Sequence, residues 1–125
     1  MPACFQLTDA YAPPGLVGLE TALGLTIAEL VVPGHLGLAD ALALLSSRPA
    51  AILGLERQGS LAEGAPANLA VFDPERRWRV DPALFLSRSR NTPFAGRELQ
   101  GRVLHTFFEG RPVVREGELL SAAPV

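Results

Sequence analysis

The chain has 125 residues, of which 48% are hydrophobic and 19% charged, and its net charge is −2. This length is suited to one domain. The balance of eleven arginines against thirteen acidic residues argues against nucleic-acid binding, and no apolar run approaches the roughly 18 residues of a membrane span.

Lysine is absent, and Cys4 is the only cysteine. A single cysteine cannot form an internal disulfide, which fits a reducing compartment. No signal peptide is recognisable in the sequence. We therefore expect a cytoplasmic protein.

The first half of the chain predicts helices. Apolar residues at three- and four-residue spacings predict one helix from Leu19 to Val31, ended by Pro33-Gly34. A second helix is expected over Leu38 to Ser47. A short third helix over residues 49–53 should close at Gly54, in the position that often takes a positive φ.

Short strands are expected after Gly59. Residues 67–72 are apolar except for Asn68, which predicts a strand that is covered on both faces and so needs a second layer. Brief strands are also expected at Ser60-Leu61 and around Trp78 to Val80.

The remaining sequence alternates turns and strands. Asp81-Pro82 predicts a helical turn, and the polar loop Ser87 to Gly96 follows it. Strands are expected over Val103 to Phe108 and at Val113-Val114, and residues 121–125 as a frayed end. The dipeptides Glu109-Gly110 and Glu116-Gly117 predict the turns.

Three segments resemble the C-terminal part of dihydroorotase, a cyclic amidohydrolase of pyrimidine synthesis. They are Ala12 to Ala22, then Pro49 to Gly54 running into Gly59 to Asp73, and finally Ser87 to Gly96 followed by Leu99 to Val103. The third segment discriminates best, because the related hydantoinases and allantoinases usually differ around residues 91–94.

The resemblance implies a metal-dependent hydrolase built from a TIM-like barrel and a small β-sandwich. The chain would be an α/β fragment that supplies the last barrel helices and the C-terminal half of the sandwich. Its expected parts are the last barrel loop and helices (1–58), sandwich strands (59–80), a helical turn and a polar loop packed on the barrel (81–98), and sandwich strands with a C-terminal tail (99–125).

The chemistry implied is the reversible conversion of N-carbamoyl-L-aspartate to dihydroorotate, with one or two zinc ions activating a water. The family's ligands are a His-x-His pair, further histidines, an Asp and often a carboxylated Lys. Here only His35 and His105 are present, and no lysine. We expect no metal ligands in this chain and no activity from it alone.

The resemblance places Pro14 and Gly15 where the backbone contacts the ring amide of the substrate. Asp9 is a candidate for the catalytic Asp, but Ala10-Tyr11 does not match the family's Asp-His-x-Pro-His motif.

Three polar residues outside that region also require an interpretation. Arg88 and Arg90 could bind a carboxylate, but a solvated structural loop fixed by Asn91-Thr92-Pro93 and packed through Phe94 is the favoured interpretation. Asn68 is expected to hydrogen-bond the sandwich to its loops.

The leading hypothesis is a dihydroorotase segment, from a truncated reading frame or from a protein whose remainder is encoded elsewhere. Its partners would be the missing N-terminal part of the barrel and the small-molecule substrate. One alternative is a non-catalytic scaffold subunit for aspartate transcarbamoylase, and another is a related hydantoinase or allantoinase.

Overall fold

A computed structural model describes residues 15–120 of the chain. Helix α1 spans Ala22–Thr26 and continues without a break into a π-helical turn, Ile27–Val31. The predicted first helix is therefore confirmed, although it begins three residues late. The backbone N–H and hydroxyl of Thr21 both donate to the carbonyl of Gly18, at 3.1 and 3.2 Å, and form a turn that precedes the helix.

Helices α2 (Leu38–Leu45) and α3 (Ser47–Ile52) follow. Ser46 separates them, with φ −134° and its hydroxyl donating to the carbonyl of Leu42 at 2.8 Å. Because the backbone of Ser46 is not helical (φ −134°, ψ −85°), the second predicted helix is shorter than expected and the third begins earlier. Gly54 has φ 64°, which confirms the predicted glycine closure.

Four antiparallel strands form one sheet in the order β1-β2-β3-β4. Their bounds are β1 Leu69–Arg79, β2 Glu98–Phe108, β3 Arg111–Arg115 and β4 Glu118–Leu119. Glu109, Gly110, Glu116 and Gly117 all have positive φ (49°, 78°, 52° and 83°). Two consecutive positive values suit tight hairpin turns, so both predicted Glu-Gly turns are confirmed.

The observed strand β1 differs from the two separate strands that were expected in this region. It is one strand with an irregularity between Asp73 and Arg77, rather than separate pieces at 67–72 and 78–80. Oδ1 of Asp73 accepts the N–H groups of Glu75 and Arg76 at 2.9 and 3.1 Å, which keeps the chain in the sheet despite Pro74.

The prediction of a strand at Ser60-Leu61 is wrong. These residues are exposed and irregular, because the hydroxyl of Ser60 accepts the N–H of Ala62 at 3.1 Å and forms a local turn. In the predicted sandwich part 59–80, strand structure begins only at Leu69. The helical turn predicted at Asp81-Pro82 is confirmed as a 3₁₀ turn, Pro82–Leu84, capped by the Asp81 carboxylate on Ala83 N–H.

Helix α1 and the π-helical turn pack closely on β2 at two glycines. A Cβ atom on Gly24 would lie 3.1 Å from the Cβ of Leu99, and one on Gly101 would overlap the Cδ1 of Ile27. The side chain of Ile27 is only 2% exposed. Gly24 and Gly101 therefore bring helix and sheet closer than any larger residue would allow.

The main core cluster lies beside this contact. Its buried members are Val80, Phe85 and Leu99, and half-buried residues pack around them: Val17, Leu25, Ala28, Trp78 and Phe94. The cluster thus joins β1, β2, the polar loop, and the helical layer formed by α1 and the π-helical turn. It fixes the polar loop against the segment before α1, where the candidate site lies.

Much apolar surface remains exposed. Among residues 15–120, fourteen large hydrophobic residues are exposed, against six hydrophobic residues in the buried core. Val71 on β1 is 44% exposed. Leu61 is 86% exposed and lines a groove of about 480 Å³ between α2 and β1. The strand predicted to be apolar on both faces is therefore only partly covered within residues 15–120. None of the helices described there is long and apolar enough to cross a membrane.

Candidate functional site

The candidate site is centred on Gly15, where the described chain begins. Gly15 is exposed and has φ 72°, a conformation that suits glycine. The other predicted residues of this region, Pro14 and Asp9, lie outside the described residues. The site is therefore built from Gly15 onward.

Asn91 contacts this segment twice. Its side-chain Nδ2 donates to the carbonyl oxygen of Gly15, and its backbone carbonyl accepts the N–H of Val17 at 2.9 Å. The two bonds flank Leu16 and join Asn91 to residues 76 and 74 positions earlier in the sequence. Asn91 thus fixes both the orientation and the place of the Gly15–Val17 backbone.

Glu20 makes a second connection in the same region. Its carboxylate accepts the backbone N–H of Leu86 at 3.0 and 3.2 Å, and that of Ser87 at 3.2 Å. Hydrogen bonds to an ionised acceptor are stronger than those between neutral groups. The segment just before α1 and the start of the polar loop are consequently held together.

The polar loop is organised by its own side chains. The Arg90 guanidinium donates to the carbonyls of Ser87 and Ser89, and Thr92 Oγ1 accepts the N–H of Phe94 at 3.3 Å. These bonds, with Phe94 packed on the core, confirm the interpretation of a structural loop. Arg88 lies exposed on the loop.

A cleft of about 600 Å³ opens between the segment before α1, residues 16–21, and residues 85–87, where the polar loop begins. Small-molecule sites commonly have volumes of roughly 300–1,000 Å³. Its lining is mainly apolar: Leu16, Val17, Gly18, Leu19, Glu20, Thr21, Phe85, Leu86 and Ser87. The Glu20 carboxylate is engaged by backbone N–H groups, so this cleft supplies shape and backbone groups rather than acid–base chemistry.

The described residues do not fit a zinc site. His35 is exposed in the loop before α2, and Nδ1 of His105 accepts the N–H of Glu116 at 3.4 Å. Between residues 15 and 120, no three His, Cys, Asp or Glu side chains are grouped so that they could hold a metal ion. Residues 15–120 therefore lack a ligand set of the kind that holds zinc in proteins.

Asn68 has the linking role predicted for it. Its Nδ2 donates to Oε1 of Gln58 at 3.2 Å, and its Oδ1 accepts the N–H of Glu109 at 2.7 Å. The β2–β3 turn and the loop before β1 are therefore connected through one amide.

Sequence reasoning missed two features. The bonds of Glu20 and Asn91 to distant backbone groups have no local pattern, although an asparagine directly before Thr-Pro is a signal of a fixed turn. The guanidinium of Arg102 lies 4.7 Å from the ring centroid of Trp78. This stacking depends on the pairing register of β1 and β2, which the sequence does not specify.

Comparison with known proteins gives a consistent result. A model described as "Amidohydrolase family" matches residues 8–114. The dihydroorotase of Syntrophotalea carbinolica is 50% identical over 101 residues, which are 81% of this chain and 23% of the relative. The dihydroorotase of Streptomyces coelicolor is 45% identical over 111 residues, 88% of this chain and 26% of the relative. The chain spans about a quarter of these relatives.

Solved structures of hydantoinases share the fold. The D-hydantoinase (dihydropyrimidinase) of Thermus sp. aligns with a TM-score of 0.79 and 27% identity, over 86% of this chain and 24% of that one. The L-hydantoinase of Arthrobacter aurescens aligns with a TM-score of 0.78 and 31% identity, over 85% of this chain and 24% of that one.

Proposed function

This chain belongs to the amidohydrolase family, and on that premise we propose that it is the C-terminal part of a dihydroorotase. The complete enzyme would interconvert N-carbamoyl-L-aspartate and dihydroorotate in pyrimidine synthesis. The chain would contribute to the shape and support of the active centre.

The sequence identity to dihydroorotases carries this proposal. Relatives with that name are 41–50% identical over 81–88% of the chain. The hydantoinase and dihydropyrimidinase structures that share the fold are 22–31% identical. A hydantoinase is therefore the less favoured reading, although the backbone is compatible with it.

The exposed apolar surface supports a role as one part of a larger fold. In the proposed arrangement, α1 to α3 are the last barrel helices and β1 to β4 are half of a β-sandwich. The groove between α2 and β1 would then be covered by the rest of the enzyme, because apolar surface of this extent gains free energy when it leaves water. The part boundaries 1–58, 59–80, 81–98 and 99–125 belong to this proposal.

Pro14 and Gly15 are proposed to contact the ring amide through their backbone. The support is that Gly15 is exposed, has a positive φ and adjoins Leu16 in the cleft lining. Asp9 stays a candidate for the catalytic carboxylate. Zinc is expected to be held by residues outside the described ones, since those do not fit it, and the isolated chain is expected to be inactive.

Three further points stay predictions: the cytoplasmic location, the participation of aspartate transcarbamoylase, and the scaffold alternative. Each depends on the complete protein rather than on the contacts described above.

A hybrid enzyme tests the proposed function. The matching 101-residue segment of the Syntrophotalea carbinolica dihydroorotase is replaced by this chain, and hydrolysis of dihydroorotate is followed with zinc present. We expect turnover by the hybrid and none by the chain alone. The matched control places the chain in the Thermus sp. D-hydantoinase, where we expect no hydantoin turnover. A soluble dihydroorotase hybrid without activity, or an active hydantoinase hybrid, would contradict the proposal.

A further inference from the structure

We propose that Asn91 is a positioning residue that sets the backbone of Gly15 for substrate binding, and this inference rests on the proposed function. Nothing in the proposed chemistry uses the side chain of Asn91. The geometry gives it a role, because its amide bonds directly to the residue proposed to contact the substrate.

The first step concerns the peptide after Gly15. Gly15 has φ 72°, and within residues 15–120 no atom beyond its chain neighbours lies within 4 Å of its Cβ position. The Nδ2 of Asn91 donates to the carbonyl oxygen of Gly15, and the carbonyl oxygen of Asn91 accepts the N–H of Val17. These two bonds therefore orient the peptide that follows Gly15.

The second step is the rigidity of the loop that carries Asn91. The N–H of Gly96 donates to the carbonyl of Val80 at 2.7 Å, and the N–H of Val80 donates to the carbonyl of Arg97 at 2.9 Å. Phe94 packs on the core cluster between these points and Asn91. A side chain mounted on such a loop can hold a partner in place, because its own position is fixed by the core.

The third step is the connection at Glu20. Its carboxylate holds the N–H groups of Leu86 and Ser87 at the other end of the loop. Leu16, Val17 and Glu20 lie on one side of the cleft, and Leu86 and Ser87 on the other. Glu20 and Asn91 therefore tie the start and the middle of the loop to the segment 15–20.

This arrangement affects binding more than the chemical step. A backbone contact to the ring amide is made both in the bound substrate and in the transition state, so its loss raises KM and leaves kcat nearly unchanged. We expect KM for dihydroorotate to rise about tenfold when the Asn91 donor is removed, which corresponds to one hydrogen bond.

Asn91→Asp in the hybrid enzyme tests the inference, since it keeps the shape and removes the donor to Gly15. Asn91→Ala removes the same donor without adding charge and serves where the aspartate variant does not fold. Asn68→Asp is the matched control. Asn68 is the other asparagine of the chain, and this variant also removes one amide hydrogen bond, the one donated to Gln58. We expect both Asn91 variants to raise KM about tenfold and Asn68→Asp to leave it within about twofold.

An unchanged KM in both Asn91 variants would overturn the inference. A rise in KM that the Asn68 control shares, or that is seen only with the aspartate variant of Asn91, would overturn it as well. Amide hydrogen exchange at Val17 separates this result from failure of the proposed function. If the unaltered hybrid is folded but inactive, the proposed function fails. Exchange at least about tenfold faster in the Asn91 variants alone would then still support the tie to Gly15, whereas unchanged exchange would refute it.

Discussion

Replacing Gly101 with alanine tests the contact between the helical layer and β2. Gly101 has φ 93°, a value that costs an L-residue about 1–2 kcal/mol. Its new Cβ would overlap the Cδ1 of Ile27, while the Cγ1 of Ile27 and the Cγ of Leu23 would lie at ordinary distances of 3.6 and 3.8 Å. One methyl group is therefore the obstacle.

The magnitude follows from the burial of Ile27. Its side chain is 2% exposed, so the methyl cannot turn toward solvent, and overpacking of a core costs typically about 1–3 kcal/mol. We expect Gly101→Ala to lower the free energy of unfolding by about 2–5 kcal/mol in total. That is a large share of the roughly 5–15 kcal/mol that stabilises a domain.

Urea unfolding followed by tryptophan fluorescence measures this change. Trp78 is the only tryptophan, and its Nε1 donates to the carbonyl of Gly101 at 3.0 Å, so the probe reports on the contact itself. Gly54→Ala is the control for backbone strain alone, since Gly54 has φ 64° and no atom within 4 Å of its Cβ position. We expect it to cost only about 1 kcal/mol.

Ile27→Val supplies the decisive comparison, because it removes the Cδ1 atom alone. The single change should cost about 1 kcal/mol, and combined with Gly101→Ala it should recover at least about 1 kcal/mol relative to additivity. Strict additivity of the two changes, or a Gly101→Ala cost equal to that of Gly54→Ala, would refute the reasoning.

The remaining predictions concern exposed contacts. Asp81→Ala should lower the free energy of unfolding by about 1 kcal/mol, because it removes the cap on the Ala83 N–H. A change below about 0.3 kcal/mol in urea titration would count against that role. Arg97→Met should cost less than about 1 kcal/mol, since its ion pair with Glu29 is 42% and 56% exposed, and the cost should vanish in 1 M salt. We expect the isolated chain to self-associate through its exposed apolar residues. Leu61→Ser should reduce this association in size-exclusion chromatography and leave the free energy of unfolding within about 0.5 kcal/mol, because Leu61 is 86% exposed. An unaltered elution profile would argue against apolar association there.

Local chemistry explains what could be predicted from the sequence. The closing Gly54 and the turns at Glu109-Gly110 and Glu116-Gly117 are confirmed because positive φ and missing side chains act within a few residues. Strand β1 was predicted in two pieces because Pro74 normally interrupts a ladder. Asp73 accepts the next N–H groups and keeps the strand continuous, which depends on a side-chain rotamer rather than on a pattern.

The candidate site was predictable only in part. The positions of Pro14 and Gly15 came from resemblance, and Gly15 then proved to be exposed with a positive φ. The hydrogen bonds of Glu20 and Asn91 could not be predicted, because each joins residues more than sixty positions apart. Long-range contacts of this kind depend on the packing of Phe94 and its neighbours, which no short-range periodicity encodes.

Zinc content tests the central claim most directly, namely that the metal ligands of the proposed enzyme lie outside the residues described above. The isolated chain and the hybrid enzyme are loaded with zinc, dialysed against metal-free buffer and analysed by inductively coupled plasma mass spectrometry. We expect at least about one zinc per hybrid molecule and less than about 0.1 per isolated chain. An isolated chain that retains about one tightly bound zinc would contradict the account.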